Sequence, residues 1–184
     1  MNQQPKIVMK PIGRLTILLA ITLCLGACGT VTDFVKSNLP DSHTGRPSVV
    51  VRLRQQRAFL FKGNALVADA AISTGREGYA TPLGNFRVIR KDHDHRSGLY
   101  GDYVDSNNRI VKANVDVRKD RRPRGSHYLG TPMPYFVEFT PGFGLHAGNL
   151  PGYPASHGCV RLSYWNARRF FNAVRIGTRV SIRR

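Results

Sequence analysis

Acidic residues, cysteines and long apolar runs are all scarce in this chain. Only 11 acidic residues stand against 28 lysines and arginines, which gives a formal net charge of +17. This excess of positive charge favours anionic partners such as nucleic acid, anionic lipid or anionic wall polymers. The basic stretch from Asp116 to Gly125 lacks stacking aromatics, so it is typical of a solvated loop with at most a secondary attraction to anionic surfaces.

The apolar run from Leu15 to Leu25 is too short to cross a bilayer, which requires about 20 apolar residues. Three basic residues precede this run, and Gly26 and Ala27 follow it directly before Cys28. This order is typical of a secretory signal peptide over residues 1–27. We therefore expect an exported protein, and export argues against nucleic acid as a partner.

The segment from Leu25 to Cys28 resembles the lipobox of bacterial lipoproteins, in which cleavage leaves the cysteine as a diacylated first residue. The resemblance implies that Cys28 is lipidated and anchors the chain to a membrane without spanning it. Gly29 gives no cue for retention at the inner membrane, so the periplasmic face of the outer membrane is favoured. Residues 28–47 then form a tether to a catalytic domain over residues 48–184. Cleavage at the same place without acylation is the alternative.

The folded part is predicted to be mainly β. From Ser48 the apolar residues alternate with period two, and turn signals separate two further short strands before Thr74. One helix is predicted from Tyr164 to Val174, capped by Ser163. Later strands are predicted at Phe86–Ile89, Tyr135–Phe139, Gly144–His146 and Arg179–Ile182. The pattern indicates a small β-sandwich or barrel with one helix on the C-terminal side.

Residues 91–131 form a long stretch that is polar, glycine-bearing and weakly patterned. Apart from a possible strand at Arg109 to Val117, no element is predicted there. Long stretches of this kind in a compact domain are usually functional. We expect a long lid-like insertion beside the site.

Reactive residue types are concentrated between Leu145 and Leu162, where two histidines, one thiol and one arginine occur together. With Cys24 removed and Cys28 acylated, Cys159 is the only thiol of the mature domain. A solitary thiol in an oxidising compartment is either an inert core residue or a reactive group. Because the thiolate is the nucleophile, a catalytic Cys159 is expected to have a depressed pKa.

Either His146 or His157 can act as the base for Cys159. His157 lies two residues before the thiol and faces the same side only if the segment is extended. His146 arrives from another strand, which is the usual way to bring an imidazole within hydrogen-bond reach of a thiol. The amides of Gly158 and Cys159 are candidates for an oxyanion hole, and Arg161 can hold a substrate carboxylate.

The run Ser156-His157-Gly158-Cys159-Val160-Arg161, with a histidine upstream, resembles the signature of the L,D-transpeptidase catalytic domain, also called the YkuD domain. The resemblance covers nearly the whole stretch from Ser48 to Ile182. It also includes Ser73-Thr74-Gly75, Thr81-Pro82-Leu83-Gly84-Asn85-Phe86 and Met133-Pro134-Tyr135.

The resemblance implies a cysteine acyltransferase that needs no cofactor or metal. Cys159 is its nucleophile, His146 its base, and the carbonyl of Ala147 the group that orients the imidazole. The remaining roles are support of the oxyanion and binding of the substrate. They fall on Ser156, His157 and Gly158 for the oxyanion region, and on Arg161 and Tyr135 for the substrate.

The implied reaction is acyl transfer from peptidoglycan. Cys159 attacks the peptide bond after the third residue of a tetrapeptide stem, releases D-alanine and holds the donor as a thioester. The acceptor amine belongs to a second stem, giving a 3-3 cross-link, or to a wall-attached lipoprotein. If water replaces the amine, the same thiol makes the protein an L,D-carboxypeptidase or a hydrolase. The implied partners are stem peptides, the membrane through the N-terminal lipid, and that lipoprotein.

Two further hypotheses place other functions on the same residues. In the first, His146, His157 and Cys159 hold a catalytic zinc, although no acidic general base lies nearby in the sequence. In the second, the chain is a non-catalytic wall-binding lipoprotein whose site has decayed. The intact signature argues against decay.

Overall fold

The computed structural model describes residues 45–184, and within this range the chain forms twelve strands and one helix. The strands are β1 (Pro47–Arg52), β2 (Arg57–Lys62), β3 (Ala65–Ser73), β4 (Gly84–Arg87), β5 (Arg90–Asp92), β6 (Arg96–Val104), β7 (Ile110–Asp116), β8 (His127–Pro132), β9 (Phe136–Thr140), β10 (Phe143–Ala147), β11 (Val160–Leu162) and β12 (Arg179–Arg183). The helix is α1 (Tyr164–Ala173). The predicted signal peptide, most of the tether and the lipidation site Cys28 lie outside the described residues.

The strands form two sheets. Nine of them are ordered β4-β12-β1-β2-β3-β11-β10-β9-β5, and the other three are ordered β7-β6-β8. In the large sheet, β1 pairs with β12 and β10 pairs with β11 in parallel, while the other neighbours are antiparallel. The mainly β fold with one helix is therefore confirmed. No helix in the described range is long and apolar enough to span a bilayer.

The hydrophobic core follows from the alternation of apolar residues along the strands. In β1, Val49 and Val51 are buried, and in β12 the buried residues are Val180 and Ile182. Alternate side chains of a strand point to one face, so each strand contributes every second residue to the core. The helix α1 packs on β9, β10 and β11 and covers the core there with its buried residues, among them Phe170.

Helix α1 begins where the sequence predicts. The Ser163 hydroxyl accepts a hydrogen bond from the N–H of Asn166 at 3.3 Å, which satisfies one free amide of the first turn. The helix ends at Ala173, one residue before the predicted end, because Val174 has extended backbone angles. The Val174 N–H still donates to the carbonyl of Phe170 at 3.0 Å.

Residues 91–131 are not the weakly structured insertion that the sequence predicts. They contain parts of β5 and β8 and the whole of β6 and β7, and the strand predicted at Arg109 to Val117 is found as β7. The lid-like insertion is therefore mostly an antiparallel sheet with irregular register. The backbones of β6 and β8 approach closely at Gly101, where an added Cβ would lie 2.2 Å from the carbonyl oxygen of Leu129. Five of the seven residues of β7 are exposed, which explains why its hydrophobic alternation is weak.

Candidate active site

The reactive side chains are brought together by the parallel pair β10 and β11. His146 lies on β10 directly opposite Arg161 on β11, and Cys159 stands just before β11, two residues from Arg161. His146 and Arg161, as paired residues, project from the same face of the sheet, and Cys159 lines the same cavity as both. The structure thus joins the three residues that the sequence placed at the centre of the chemistry.

The three side chains line one cavity of about 720 Å³. One wall belongs to the large sheet. The opposite wall is supplied by β6 of the three-stranded sheet, with Ser97, Gly98, Leu99, Tyr100 and Gly101. The expectation that residues 91–131 lie beside the site is therefore confirmed, although they form a sheet rather than a loop.

The imidazole of His146 is held in one orientation. Its Nδ1 lies 2.8 Å from the carbonyl oxygen of Ala147, the contact expected from the family resemblance. Because a carbonyl oxygen only accepts, Nδ1 carries the proton and Nε2 keeps its lone pair. Burial, with smaller contributions from the positive charges of Arg161 and His95, lowers the pKa of His146 to about 4 against the opposing effect of the Ala147 carbonyl. The imidazole is neutral at pH 7 and able to accept a proton.

The thiol of Cys159 is also neutral at rest. Burial raises its pKa, against the smaller opposing effects of the Gly144 backbone N–H and of Arg161. The depressed pKa expected from the sequence is therefore not found. The Sγ atom lies 3.7 Å from the carbonyl oxygen of Gly142, and within residues 45–184 no hydrogen bond joins it to His146. Catalytic contacts often tighten only when substrate binds, so proton transfer between the two groups would accompany attack.

The segment before the thiol is fixed by Ser156. Its buried hydroxyl donates to the carbonyl oxygen of Cys159 at 2.5 Å and accepts the N–H of Gly158 at 3.0 Å. The predicted support by Ser156 thus consists of holding the backbone on both sides of Gly158. The Gly158 amide is engaged in this bond, so the predicted oxyanion hole rests on the amide of Cys159.

Gly158 has a positive φ of 115°, a conformation that favours glycine. An added Cβ would also lie 2.6 Å from Cε1 of Phe143. The carbonyl of Gly158 accepts a hydrogen bond from Thr81 Oγ1 at 2.7 Å, and that hydroxyl accepts the N–H of Gly75 at 3.0 Å. Thr81 therefore positions the backbone before the nucleophile, whereas the sequence indicated it only as the first residue of the motif Thr81-Pro82-Leu83-Gly84-Asn85-Phe86.

His157 is occupied by contacts other than Cys159. Its Nε2 lies 2.8 Å from Nη2 of Arg76, and its ring stacks on Tyr100 with centroids 4.0 Å apart. Tyr79 packs against it edge-on at 4.8 Å. Because a guanidinium only donates, Nε2 of His157 is the acceptor in this contact. Of the two histidines considered as the base, the geometry favours His146.

The zinc hypothesis finds no support in this arrangement. Within residues 45–184, no three side chains of His, Cys, Asp or Glu are grouped so as to hold a metal ion. The contact of His157 with the Arg76 cation is also incompatible with metal binding through the same nitrogen.

The cavity is electropositive. Arg76, Arg90 and Arg161 line it, and Glu138 is the only carboxylate among its lining residues. Glu138 is paired with Arg90 at 2.8 Å, while no acidic partner for Arg76 or Arg161 lies within residues 45–184. Burial and the neighbouring Arg76 lower the pKa of Arg161, which remains a cation at neutral pH. The site thus favours an anionic ligand.

Tyr135 is not among the residues that line the cavity, and its role in substrate binding stays a prediction. The residue has a positive φ of 58°, is 7% exposed, and packs against Phe171 of α1. Its hydroxyl lies 3.2 Å from that of Tyr164. The unusual backbone angle places the side chain against the helix, which periodicity alone does not reveal.

Arg76 and Tyr100 are the site residues that the sequence analysis missed. Arg76 directly follows the Ser73-Thr74-Gly75 motif, so its position next to that motif could have identified it as a site residue. Tyr100 lies in the weakly patterned stretch and carried no signal, because its role depends on the folding of β6 over the site.

Comparison with known proteins is consistent with this geometry. The model of the L,D-transpeptidase catalytic domain family, YkuD, matches residues 46–182. A comparison with curated proteins gives no match. Among solved structures, an L,D-transpeptidase from Mycobacterium smegmatis has a TM-score of 0.56 and 18% identity, covering 76% of this chain and 59% of that one.

Two further solved structures show the same fold. An L,D-transpeptidase from Stackebrandtia nassauensis has a TM-score of 0.54 and 19% identity, with 83% of this chain and 63% of that chain covered. One from Xylanimonas cellulosilytica has a TM-score of 0.55 and 24% identity, with 84% and 69% covered. The chain therefore spans less than two thirds of the Mycobacterium smegmatis and Stackebrandtia structures.

Proposed function

The chain belongs to the L,D-transpeptidase catalytic domain family, and from this premise we propose that it is a peptidoglycan L,D-transpeptidase with a cysteine nucleophile. The observation that carries the proposal is the presence in a single cavity of Cys159 and of His146 and Arg161, which face each other on a parallel strand pair. This arrangement provides a nucleophile, a neutral base and a cation for a substrate carboxylate.

The first half-reaction forms a thioester. Nε2 of His146 accepts the thiol proton as Sγ of Cys159 attacks the carbonyl carbon between the third and fourth residues of a tetrapeptide stem. The tetrahedral intermediate then collapses, the C–N bond breaks, and the imidazolium returns its proton to the leaving amine of D-alanine. The donor remains bound to Cys159 through a C–S bond.

The amide N–H of Cys159 is the proposed donor to the oxyanion of the intermediate. Removing one such donor in other enzymes costs about 2.7–4 kcal/mol of transition-state stabilisation. The hydroxyl of Ser156 supports this by fixing the carbonyl of the same residue. Arg161, half-buried and lining the cavity, would hold a carboxylate of the stem.

The second half-reaction transfers the acyl group to an amine. The acceptor attacks the thioester carbon, His146 takes its proton, the C–S bond breaks and the thiolate recovers a proton. An amine from a second stem yields a 3-3 cross-link, and one from a lipoprotein side chain attaches that protein to the wall. Water as acceptor makes the enzyme an L,D-carboxypeptidase or a hydrolase.

We place this activity at the periplasmic face of the envelope. The signal-peptide pattern over residues 1–27 and the lipobox resemblance at Cys28 support an exported lipoprotein, with the outer membrane favoured. The folded domain then works close to the wall polymer. Metabolic labelling with a radioactive fatty acid, comparing the native chain with Cys28→Ala, tests the lipid.

Intact-mass analysis tests the catalytic proposal. The chain from residue 29 onwards is incubated with disaccharide tetrapeptide, and it should release D-alanine and gain an acyl adduct. The Cys159→Ala variant should do neither, while His146→Gln should form the adduct about 10²–10⁴-fold more slowly. Dimers among the products indicate cross-linking, and free tripeptide indicates hydrolysis.

Full turnover by Cys159→Ala would rule out the proposed nucleophile. Absence of adduct and turnover in the unaltered chain, with tight binding to purified peptidoglycan, would favour the wall-binding lipoprotein.

A further inference from the structure

A second cavity lies away from the thiol, between helix α1 and the strands β2 and β3, with a volume of about 540 Å³. We name it the helix groove. Its apolar floor includes Leu60 and Val67, and its rim carries Lys62, Trp165, Arg168 and Arg169. None of the proposed catalytic residues lines it.

The rim of the helix groove combines positive charge with an exposed aromatic ring. Trp165 is 69% exposed, although it is the largest apolar side chain of the helix. Three cations surround the groove, and no carboxylate is among its lining residues. A ligand that fits must offer negative charge to the rim and apolar surface to the floor. An anionic phospholipid surface offers both.

The three rim residues that belong to α1 share one face of the helix. Trp165, Arg168 and Arg169 are three and four residues apart, so they project from the same side of the helix. Ala167 and Phe170 are buried on the other side. Tryptophan beside basic residues on an exposed helix face is typical of segments that lie in the membrane interface.

The N-terminal end of the described chain lies beside this rim. The carbonyl of Arg46 accepts a hydrogen bond from the N–H of Gly63 at 3.1 Å, and an added Cβ on Gly45 would lie 2.6 Å from the nitrogen of Gly63. Gly63 directly follows Lys62 of the groove. Cys28 precedes Gly45 by 17 residues, a span of at most about 60 Å when fully extended. A lipid at Cys28 would therefore keep the groove within reach of a membrane surface.

We propose that the helix groove docks the domain on an anionic phospholipid bilayer, with Trp165 in the headgroup region and Arg168 and Arg169 against lipid phosphates. The docking is independent of the proposed transpeptidase activity, because neither its residues nor its test involve Cys159. The docking attaches the domain to the membrane at a second point, besides the proposed N-terminal lipid. It also determines which side of the domain faces the membrane.

Tryptophan fluorescence tests the proposal directly, because Trp165 is the only tryptophan of the chain. The probe is the chain from residue 29 onwards, which lacks Cys28 and so carries no lipid. Vesicles of phosphatidylglycerol and phosphatidylcholine should shift the emission to shorter wavelengths, and vesicles of phosphatidylcholine alone should not. Emission in buffer should be that of an exposed indole.

Vesicle sedimentation supplies the matched comparison. Arg168→Glu should weaken binding to the anionic vesicles roughly 25-fold, since each charge near the surface contributes about fivefold. Arg54→Glu makes the same charge change at an exposed arginine in the turn between β1 and β2, at the end of β2 away from Lys62, and should alter binding less than about threefold. Unchanged unfolding midpoints show that both variants are folded.

Three results would overturn the proposal. The first is equal loss of binding in the two variants, or vesicle binding without an emission shift, since either places the contact elsewhere. The second is emission already at short wavelength in buffer, which would mean that another part of the chain covers the groove. The third is an emission shift with a soluble anionic polymer but not with vesicles, which would identify the groove as a polymer site.

Discussion

At the scale of the single residue, the environment of His146 determines the resting state of the proposed site. Burial favours the neutral imidazole, and burial also favours the neutral thiol of Cys159. A cysteine enzyme with a preformed ion pair has the opposite arrangement, with a thiolate beside an imidazolium. The neutral pair predicts a different dependence on pH.

We expect kcat/KM for D-alanine release to remain constant from about pH 5 to 8. His146 has a pKa lowered to about 4, so the base stays unprotonated until the pH falls through that value. Below it the protonated imidazole cannot accept the thiol proton, and activity should decline. Alkylation of Cys159 by iodoacetamide should be slow at neutral pH and still accelerating as the pH rises through the alkaline range, because burial raises the pKa of the thiol and the thiolate is the reactive form.

A site with a preformed ion pair would show a different dependence of the alkylation rate on pH. A thiolate–imidazolium pair would give rapid alkylation that is already maximal at neutral pH. His146→Gln provides the control, since its residual activity should lack the limb near pH 4.

Thr81→Val should impair both stability and activity. The valine fills the same space but leaves the Gly75 N–H and the Gly158 carbonyl without their hydroxyl partner, which costs about 1–3 kcal/mol of unfolding free energy. The backbone before the nucleophile is then less well held, so kcat/KM should fall. Urea unfolding and turnover of tetrapeptide measure the two effects.

Thr81→Ser retains the hydroxyl and should therefore stay close to the unaltered protein in both measurements. A loss for serine with none for valine would show that the methyl group, rather than the hydrogen bonds, matters at this position.

At the scale of the element, the three-stranded sheet is joined to the catalytic segment by one stacking contact. Tyr100 of β6 lies flat against His157, with an angle of 18° between the rings, and its hydroxyl accepts a hydrogen bond from Arg118 at 2.7 Å. The wall of the cavity and the segment that carries the nucleophile are thus coupled. Loosening β6 should disturb the site.

Gly101→Ala should loosen β6 without affecting the large sheet. The new Cβ would meet the Leu129 carbonyl oxygen at 2.2 Å, so β6 and β8 must separate. We expect faster hydrogen exchange in β6 and β8. A displacement at residue 101 also moves the neighbouring Tyr100, so kcat/KM should fall. Gly98→Ala is the control for exchange, as an added Cβ there meets nothing within 4 Å. Equal exchange in the two variants would contradict the packing argument.

At the scale of the whole molecule, one hydrophobic core extends through the large sheet. It includes buried residues from β1, β2, β3, β9, β10, β11, β12 and α1. A core of this extent predicts a single cooperative unfolding transition. The strands that hold His146 and Cys159 should unfold with the rest.

Leu60→Ala should lower the unfolding free energy by about 2–5 kcal/mol, because the leucine is 1% exposed and its loss leaves a cavity. Leu66→Ala, on the neighbouring strand, removes a side chain that is 53% exposed and should change stability by less than about 0.5 kcal/mol. Thermal and urea unfolding compare the pair, and similar losses would show that the core is placed incorrectly.

The sequence by itself determined the elements whose residues alternate between core and solvent. Period two marked β1 to β3, and the Ser163 cap marked the start of α1. The signature around Cys159 identified the family, because adjacent residues that supply nucleophile, glycine and arginine form a local pattern. Strand boundaries differed by up to about two residues, since the terminal residues pack least.

Only the tertiary structure decided the contacts between distant segments. Of the three-stranded sheet, only β7 was predicted, as a possible strand at Arg109 to Val117. The strands β6 and β8 were missed because they expose much of their surface, so little periodicity remains to read. The positive φ of Tyr135 and its burial against α1 left no trace in the periodicity of the sequence. The pKa values, the contact of His157 with Arg76 and the stacking of Tyr100 on His157 all depend on burial and proximity. These arise when strands far apart in the chain become neighbours, and no local pattern of residues encodes them.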